Sequence, residues 1–139
     1  ERSDNLAELY AEYATEGSID GLGEHNPQMQ QYRQLEQAGM LHTLVAKTGD
    51  GKTVGFLSFL ISLLPHYGQV VATTESYFVQ REYRKGGTGI RLLRAAEDKA
   101  RALGAVGFFV SAPAGGRLAK VMPRSGYKHT NEVFFRELQ

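Results

Sequence analysis

The chain contains no cysteine. That excludes disulfides, cysteine-type zinc clusters and thiol nucleophiles together, and it fits a reducing compartment. Charge of one sign is also lacking. Lys and Arg total 16 against 15 Asp and Glu, a formal net charge of +1, so no global field draws nucleic acid or an anionic membrane. No long hydrophobic run exists either: the longest, residues 54–64, is broken by Gly55, Ser58 and Ser62 and is too short for a bilayer. Residues 1–5 are polar and do not read as a signal peptide, so a cytoplasmic protein is expected. The 139 residues, with 42% hydrophobic and 22% charged, suit one soluble domain with a core of its own.

What is present alternates between helical and strand periodicity. Residues 6–13 carry Leu6, Leu9, Tyr10 and Tyr13 on one helical face, with Ser3 or Asp4 as the start signal. Residues 15–27, rich in glycine and ending in an Asn-Pro step, read as a loop. A second helix is predicted over 27–37, stopped by Gly39. Residues 41–47 and 53–64 form a hairpin about a Gly-Asp-Gly-Lys turn, and 70–79 is a third strand. Strict alternation on that strand puts Val71, Thr73, Glu75, Tyr77 and Val79 on one face. Ile90, Leu93, Ala96, Ala100 and Leu103 stripe a helix over 89–103, closed by Gly104. A short apolar strand over 106–111, a short helix over 115–122 broken at Pro123, and a last strand over 132–138 complete the order. This is a mixed α/β domain around one twisted sheet. Its central strand–turn–helix–strand requires a parallel pair with a right-handed crossover.

The turn between the third strand and the long helix is the informative segment. Arg84, Lys85, Gly86, Gly87, Thr88, Gly89 and Ile90 join two cations to three glycines at a helix mouth, with Arg91 one step on. Glycines let the backbone take positive φ and approach a ligand closely. The first amides of a helix have no internal partner, and the helix dipole favours an anion there. The turn is built for phosphate. It is not a P-loop, because no Lys-Ser or Lys-Thr follows the glycines. Nor is it a dinucleotide fingerprint, because Leu92 stands where the third glycine belongs.

The segment from Arg84 to Gly89 resembles the [RQ]-x-x-G-x-[GA] pattern of the GNAT (Gcn5-related N-acetyltransferase) superfamily. The strand before it, the helix and strand after it, and the closing Gly126-Tyr127 pair extend the likeness over 41–138. Residues 118–134 are also similar to small members encoded by bacteriophages. The resemblance implies a GNAT fold with a helical acceptor side over 1–40. It implies a central sheet with pyrophosphate loop and main helix over 41–113, and a C-terminal helix and strand over 114–139. It implies acetyl-CoA as cosubstrate, no metal, a primary amine acceptor and direct attack in a ternary complex. The acceptor is a small molecule, a protein lysine or N-terminus, or a modified nucleobase, and a homodimer is possible within the family. The alternatives are a non-catalytic module that binds acyl-CoA, and a phage protein that acetylates a host protein or a modified nucleobase.

By the same resemblance, backbone groups at Phe78 and Val79 hold the pantetheine arm, and the amides of Lys85 to Ile90 hold the pyrophosphate. Glu75 is the candidate base, its other reading being a solvated or ion-paired strand residue. Met122 stands where the family places its acidic tyrosine, and Gly115 aligns near its frequent asparagine. Tyr127, Ser125, Ser111 or solvent are therefore left to reprotonate the thiolate. The loop acids Glu16, Asp20 and Glu24 with His25 are candidates for meeting a cationic acceptor, or lie in a plain connector. His66-Tyr67 lies in the turn before the third strand, where acceptor contacts occur in the family. His25, His42, His66 and His129 show no metal spacing, and the basic cluster Lys120, Arg124, Lys128 and His129 reads as a solvated face.

Overall fold

A computed structural model describes residues 6–17, 19–20, 22–23 and 26–138. Helices α1 (Leu6–Gly17) and α2 (Met29–Gln37) precede the strands β1 (Leu41–Lys47), β2 (Thr53–Leu64) and β3 (Gln69–Val79). A 3-10 turn at Arg81–Tyr83 leads to α3 (Thr88–Ala102), then β4 (Gly107–Phe109) and α4 (Arg117–Val121), which runs into a 3-10 turn at Met122–Ser125. The strands make one sheet in the order β1-β2-β3-β4. The first two pairings are antiparallel, and β3 with β4 is parallel, joined through α3.

Both faces of the sheet are covered. On one, Leu57 and Phe59 of β2 with Ala72 and Val79 of β3 pack against Leu92, Leu93, Ala96 and Ala100 of α3. On the other, Phe56 and Phe78 meet Leu9 of α1, with Tyr13 beside them. This two-sided cover explains why β2 is buried at every residue from Thr53 to Phe59 instead of alternating.

Three readings of the sequence change here. First, α1 reaches Gly17 where a loop was expected from residue 15, because Glu16 is held by cations of the turn after β3. Second, the pairing of β3 with β4 covers Val71 to Thr73 against Gly107 to Phe109, shorter than the strand expected over 106–111. Third, residues 132–138 form no strand: they lie away from the sheet, with Val133 and Phe134 90% and 86% exposed. Alternation alone does not make a strand, because the ladder needs a partner whose amides and carbonyls match. The helix start expected at Ser3 or Asp4 lies outside the described residues, as do Glu24 and His25.

Candidate active site

The site is built where β3 and β4 part. After Thr73 pairs with Phe109 the ladder ends, and Ser111 N instead donates to the Thr74 side-chain oxygen at 2.9 Å. One residue later β3 bulges. Phe59 opposes Thr74 and Ser58 opposes Ser76, so Glu75 has no opposite number on β2. An inserted residue bends its strand and resets which face the following side chains occupy. Glu75 therefore does not share a face with Tyr77 and Val79, as strict alternation requires. Tyr77 and Val79 belong to the α3 side, whereas Tyr32 of α2 donates to Glu75 Oε2 at 2.6 Å on the opposite side.

Beyond the bulge the outer edge of β3 is open. Gln80 N donates to Val54 O at 2.8 Å, which fixes the phase of the antiparallel ladder. Alternation turns the peptide groups of Phe78 toward Phe56 and those of Tyr77 and Val79 outward. Val79 O is taken there by Arg84 Nε at 2.7 Å. The outward amides of Val79 and Tyr77 remain for a ligand arm, whereas Phe78 contributes its side chain to the α1 core.

At the end of that edge the glycine turn closes on α3. Gly87 caps the helix in the left-handed region, at φ 81°. Arg91 N reaches Gly87 O at 3.0 Å, but among the described residues no amide from Lys85 through Gly86, Gly87, Thr88 and Gly89 to Ile90 meets a carbonyl. These unpaired donors sit at a positive helix end. Tyr77 fixes their aim by donating to Gly89 O at 2.6 Å, and burial pushes its phenol up to about 12, so the bond persists through the physiological range. A Cβ added at Gly86 meets nothing, which leaves space over the amides for an anion. The donor set and the space fit a diphosphate.

The cations divide into two kinds. Arg84 is largely buried, stacked 5.2 Å over Phe78 and paired with Glu16 at 2.9 Å, so its charge is already met. It is a brace for the turn. Lys85 and Arg91 are exposed beside the unpaired amides, with Arg91 Nη1 donating to Gly86 O at 2.9 Å. Burial alone would raise the Glu16 carboxyl, but hydrogen bonds from Arg84 and Arg81 outweigh it and hold it below its ordinary value of 4.5. A carboxylate depressed in the folded state contributes stability that is full above its unfolded value and lost as pH falls through the folded one. Glu16→Gln is accordingly expected to flatten the acid limb, losing less stability than the parent between about pH 5 and pH 3 in urea titrations.

The proton donors expected near the thiolate are placed differently from one another. Ser111 is exposed at the mouth of the fork. Met122 is buried in the α3 core, so its position serves packing. Gly126 takes φ 93° and turns the chain so that Tyr127 lies back on α3, its hydroxyl donating to Glu97 Oε2 at 2.6 Å. Burial and the Glu97 carboxylate both hold the Tyr127 proton on, on the face of the sheet away from Glu75. Tyr127→Phe is expected to lower unfolding free energy by about 1.5 kcal/mol, the scale of a hydrogen bond to a charged group. Chemical denaturation measures it.

Other candidates fall outside the fork. His42 Nε2 donates to Gly39 O at 3.0 Å, and its ring stacks on Phe59; His129 lies 3.9 Å from Glu132. His66 and Tyr67 form an edge contact in the exposed turn before β3. Among the described residues no group of three or more His, Asp or Glu side chains could hold a metal ion. The residues that sequence reasoning passed over are Tyr10, Tyr13 and Tyr32, which meet around Glu75 from two helices.

Residues 4–120 match the family described as Acetyltransferase (GNAT) family. No curated protein matches the chain at a significant level. Solved structures with the same fold include the ribosomal-protein-alanine N-acetyltransferase of Brucella melitensis biovar Abortus (20% identity, 95% of this chain and 89% of that one, TM-score 0.68). The aminoglycoside 6'-N-acetyltransferase AAC(6')-Ih of Acinetobacter baumannii is another (22% identity, 100% and 95%, TM-score 0.71). A third is the aminoglycoside N-acetyltransferase AAC(6')-Iy, solved in complex with CoA (20% identity, 97% and 93%, TM-score 0.69). With most of its length matched, the chain belongs to the GNAT acetyltransferase family, as an acetyl-CoA-dependent N-acetyltransferase.

Proposed function

We propose that this chain acetylates a primary aliphatic amine by direct attack within a ternary complex, with Glu75 as the base. The observation that carries the reading is the row of unpaired amides from Lys85 to Ile90, standing at the end of the open β3 edge. That row, with Lys85 and Arg91, suits the pyrophosphate. The outward amides of Tyr77 and Val79 suit the pantetheine arm by strand-like addition. Acetyl-CoA supplies a thioester, an acyl carbon with a leaving group that departs as thiolate.

The chain's own work is positioning and proton transfer. An alkyl amine with pKa ~10.4 is free base in only about one molecule in 10³ at neutral pH. Glu75, presented on the bulge toward α1 and α2, takes the proton that frees the nitrogen lone pair. The N–C bond forms as the C–S bond breaks, and an outward backbone amide of β3 meets the negative charge that develops on the acyl oxygen. The thiolate takes a proton from solvent at the fork, directly or relayed through the Ser111 hydroxyl, which regains its own proton from that water. Tyr127 is less suited, because its proton is committed to Glu97.

The relatives named above as acting on aminoglycosides and on a ribosomal-protein alanine support a nitrogen acceptor. The reading as an acyl-CoA-binding module without turnover draws on the buried Met122 and the occupied Tyr127 hydroxyl. Thiol release from acetyl-CoA, followed over a panel of amines, separates the two. Release that depends on the amine supports transfer. CoA binding without release by any amine supports the module.

A further inference from the structure

Thr74 is the last residue of β3 before the bulge, at the point where β4 leaves the ladder. It pairs with Phe59, which packs toward α3, so its side chain lies on the α3 face of the sheet. Glu75, one residue on, turns to the opposite face. A hydroxyl can donate one hydrogen bond and accept two. The Thr74 oxygen accepts from Ser111 N at 2.9 Å, but among the described residues no acceptor meets its proton. Yet Thr74 is only 9% exposed, so bulk water is not the ready alternative. A bond received at oxygen strengthens the bond that oxygen's proton can give, which makes this O–H a good donor in want of a partner.

The reach of the cosubstrate brings that partner here. Gly89, in the amide row, lies beside Val79: a Cβ built on it would meet Val79 Cγ2 at 3.7 Å. From Val79 back to Thr74, β3 covers roughly 17 Å at about 3.4 Å per residue. The arm between the diphosphate and the sulfur of CoA is about as long as the backbone of four residues, roughly 14 Å when extended. Laid along the outward edge of β3 from the amide row, it ends close to Thr74. It can go no further, because at Thr73 and Phe109 the ladder is closed.

We propose that the Thr74 hydroxyl is a catalytic hydrogen-bond donor to the sulfur that leaves as thiolate. The proposal rests on the acetyl-transfer reading and adds a residue to it. As the N–C bond forms and the C–S bond breaks, the electron pair of the C–S bond stays on sulfur. Thr74 keeps its proton and shares it with that sulfur until water supplies another, so no net proton transfer passes through threonine. The two faces of the sheet then divide the chemistry. Glu75 takes the amine proton on the side of α1 and α2, and Thr74 meets the leaving group on the side of α3.

CoA with its free thiol reports on this bond without any turnover. A thiolate absorbs in the ultraviolet where a thiol does not, so the protein–CoA complex is titrated with alkali and the absorbance followed. The complex with desulfo-CoA, which lacks the sulfur, is the blank for tyrosine ionisation. A donor aimed at sulfur favours the charged form, so in the parent the bound thiol is expected to titrate below free CoA. Thr74→Val keeps the shape and loses the hydroxyl, and is expected to raise the midpoint by about one pH unit, a tenfold loss of thiolate stability. Thr74→Ser restores most of it. If Thr74 only holds Ser111 in place, Thr74→Val weakens CoA and desulfo-CoA alike and leaves the midpoint unmoved, which overturns the proposal. A parent complex whose thiol titrates above free CoA overturns it without any variant.

Thiol release from acetyl-CoA with n-butylamine completes the design. If the midpoint depends on the Thr74 hydroxyl but no amine releases thiol, the donor stands and the transfer reading falls. If release depends on the amine while the midpoint ignores Thr74→Val, the donor falls and transfer stands. If CoA does not bind, both fall together.

Discussion

Glu75→Gln lowers kcat/KM for an alkylamine about a hundredfold at neutral pH, the lower end of what a positioned general base contributes. The substitution keeps size and leaves the amide able to meet Tyr32, so the bulge and the α2 contact survive. What is lost is the acceptor for the amine proton. The deficit is expected to shrink as pH rises, because each pH unit below the amine pKa of ~10.4 that is recovered supplies about tenfold more free base without help from the protein. Steady-state rates across the alkaline range therefore separate a base from a merely structural carboxylate. A structural role predicts a deficit that stays constant with pH; a base predicts convergence. If rates for Glu75→Gln stay within a few-fold of the parent at every pH, Glu75 is not the base.

The position of Glu75 also shows where sequence reading reaches its limit. Its type and its strand were legible from the β-rich run of residues 70–79. Its face was not. A bulge is a property of the pairing between two strands, and neither glycine nor proline marks this one in the sequence. The parity error moves the carboxylate from the α3 side to the side of α1 and α2. There it lies among Tyr10, Tyr13 and Tyr32, which are 65, 62 and 43 positions away in the chain. Tyr10 and Tyr13 were visible as a helical face, but nothing local ties that face to Tyr32.

By contrast, β1, β2 and α3 were legible because their signals are local. A hairpin turn, an alternating run and an apolar stripe closed by Gly104 each require only neighbours in the chain. The C-terminal alternation over 132–138 failed for the complementary reason: its pattern is local, but a strand is not. Arg84 shows a subtler miss. Its place in the turn read as cationic help for a phosphate, yet Glu16, expected in a loop, neutralises it and makes it the brace between α1 and the turn.

Gly87→Ala raises the dissociation constant for CoA about tenfold, and Gly89→Ala changes it less than about threefold; both follow from cap geometry. At φ 81° Gly87 occupies a region that costs an L-residue roughly 1–2 kcal/mol, a factor of about 5–30 in binding if the loop relaxes away from it. Steric clash is secondary. The Cβ would meet Arg91 Nη1 at 3.1 Å, the free end of a flexible side chain. Relaxation matters because the Gly87 carbonyl and its neighbours set the direction of every amide from Lys85 to Ile90, and a diphosphate needs them convergent. Gly89 differs in kind. Its φ is ordinary, and a Cβ there finds Tyr77 Oη and Val79 Cγ2 at 3.7 Å, normal contact distance, with the Tyr77 bond to the Gly89 carbonyl untouched. Calorimetric titration of both variants with CoA, after urea melts show each is folded, decides the matter. Parent-like affinity in a folded Gly87→Ala protein means that the amide row does not hold the diphosphate, and the proposed mode of acetyl-CoA binding goes with it.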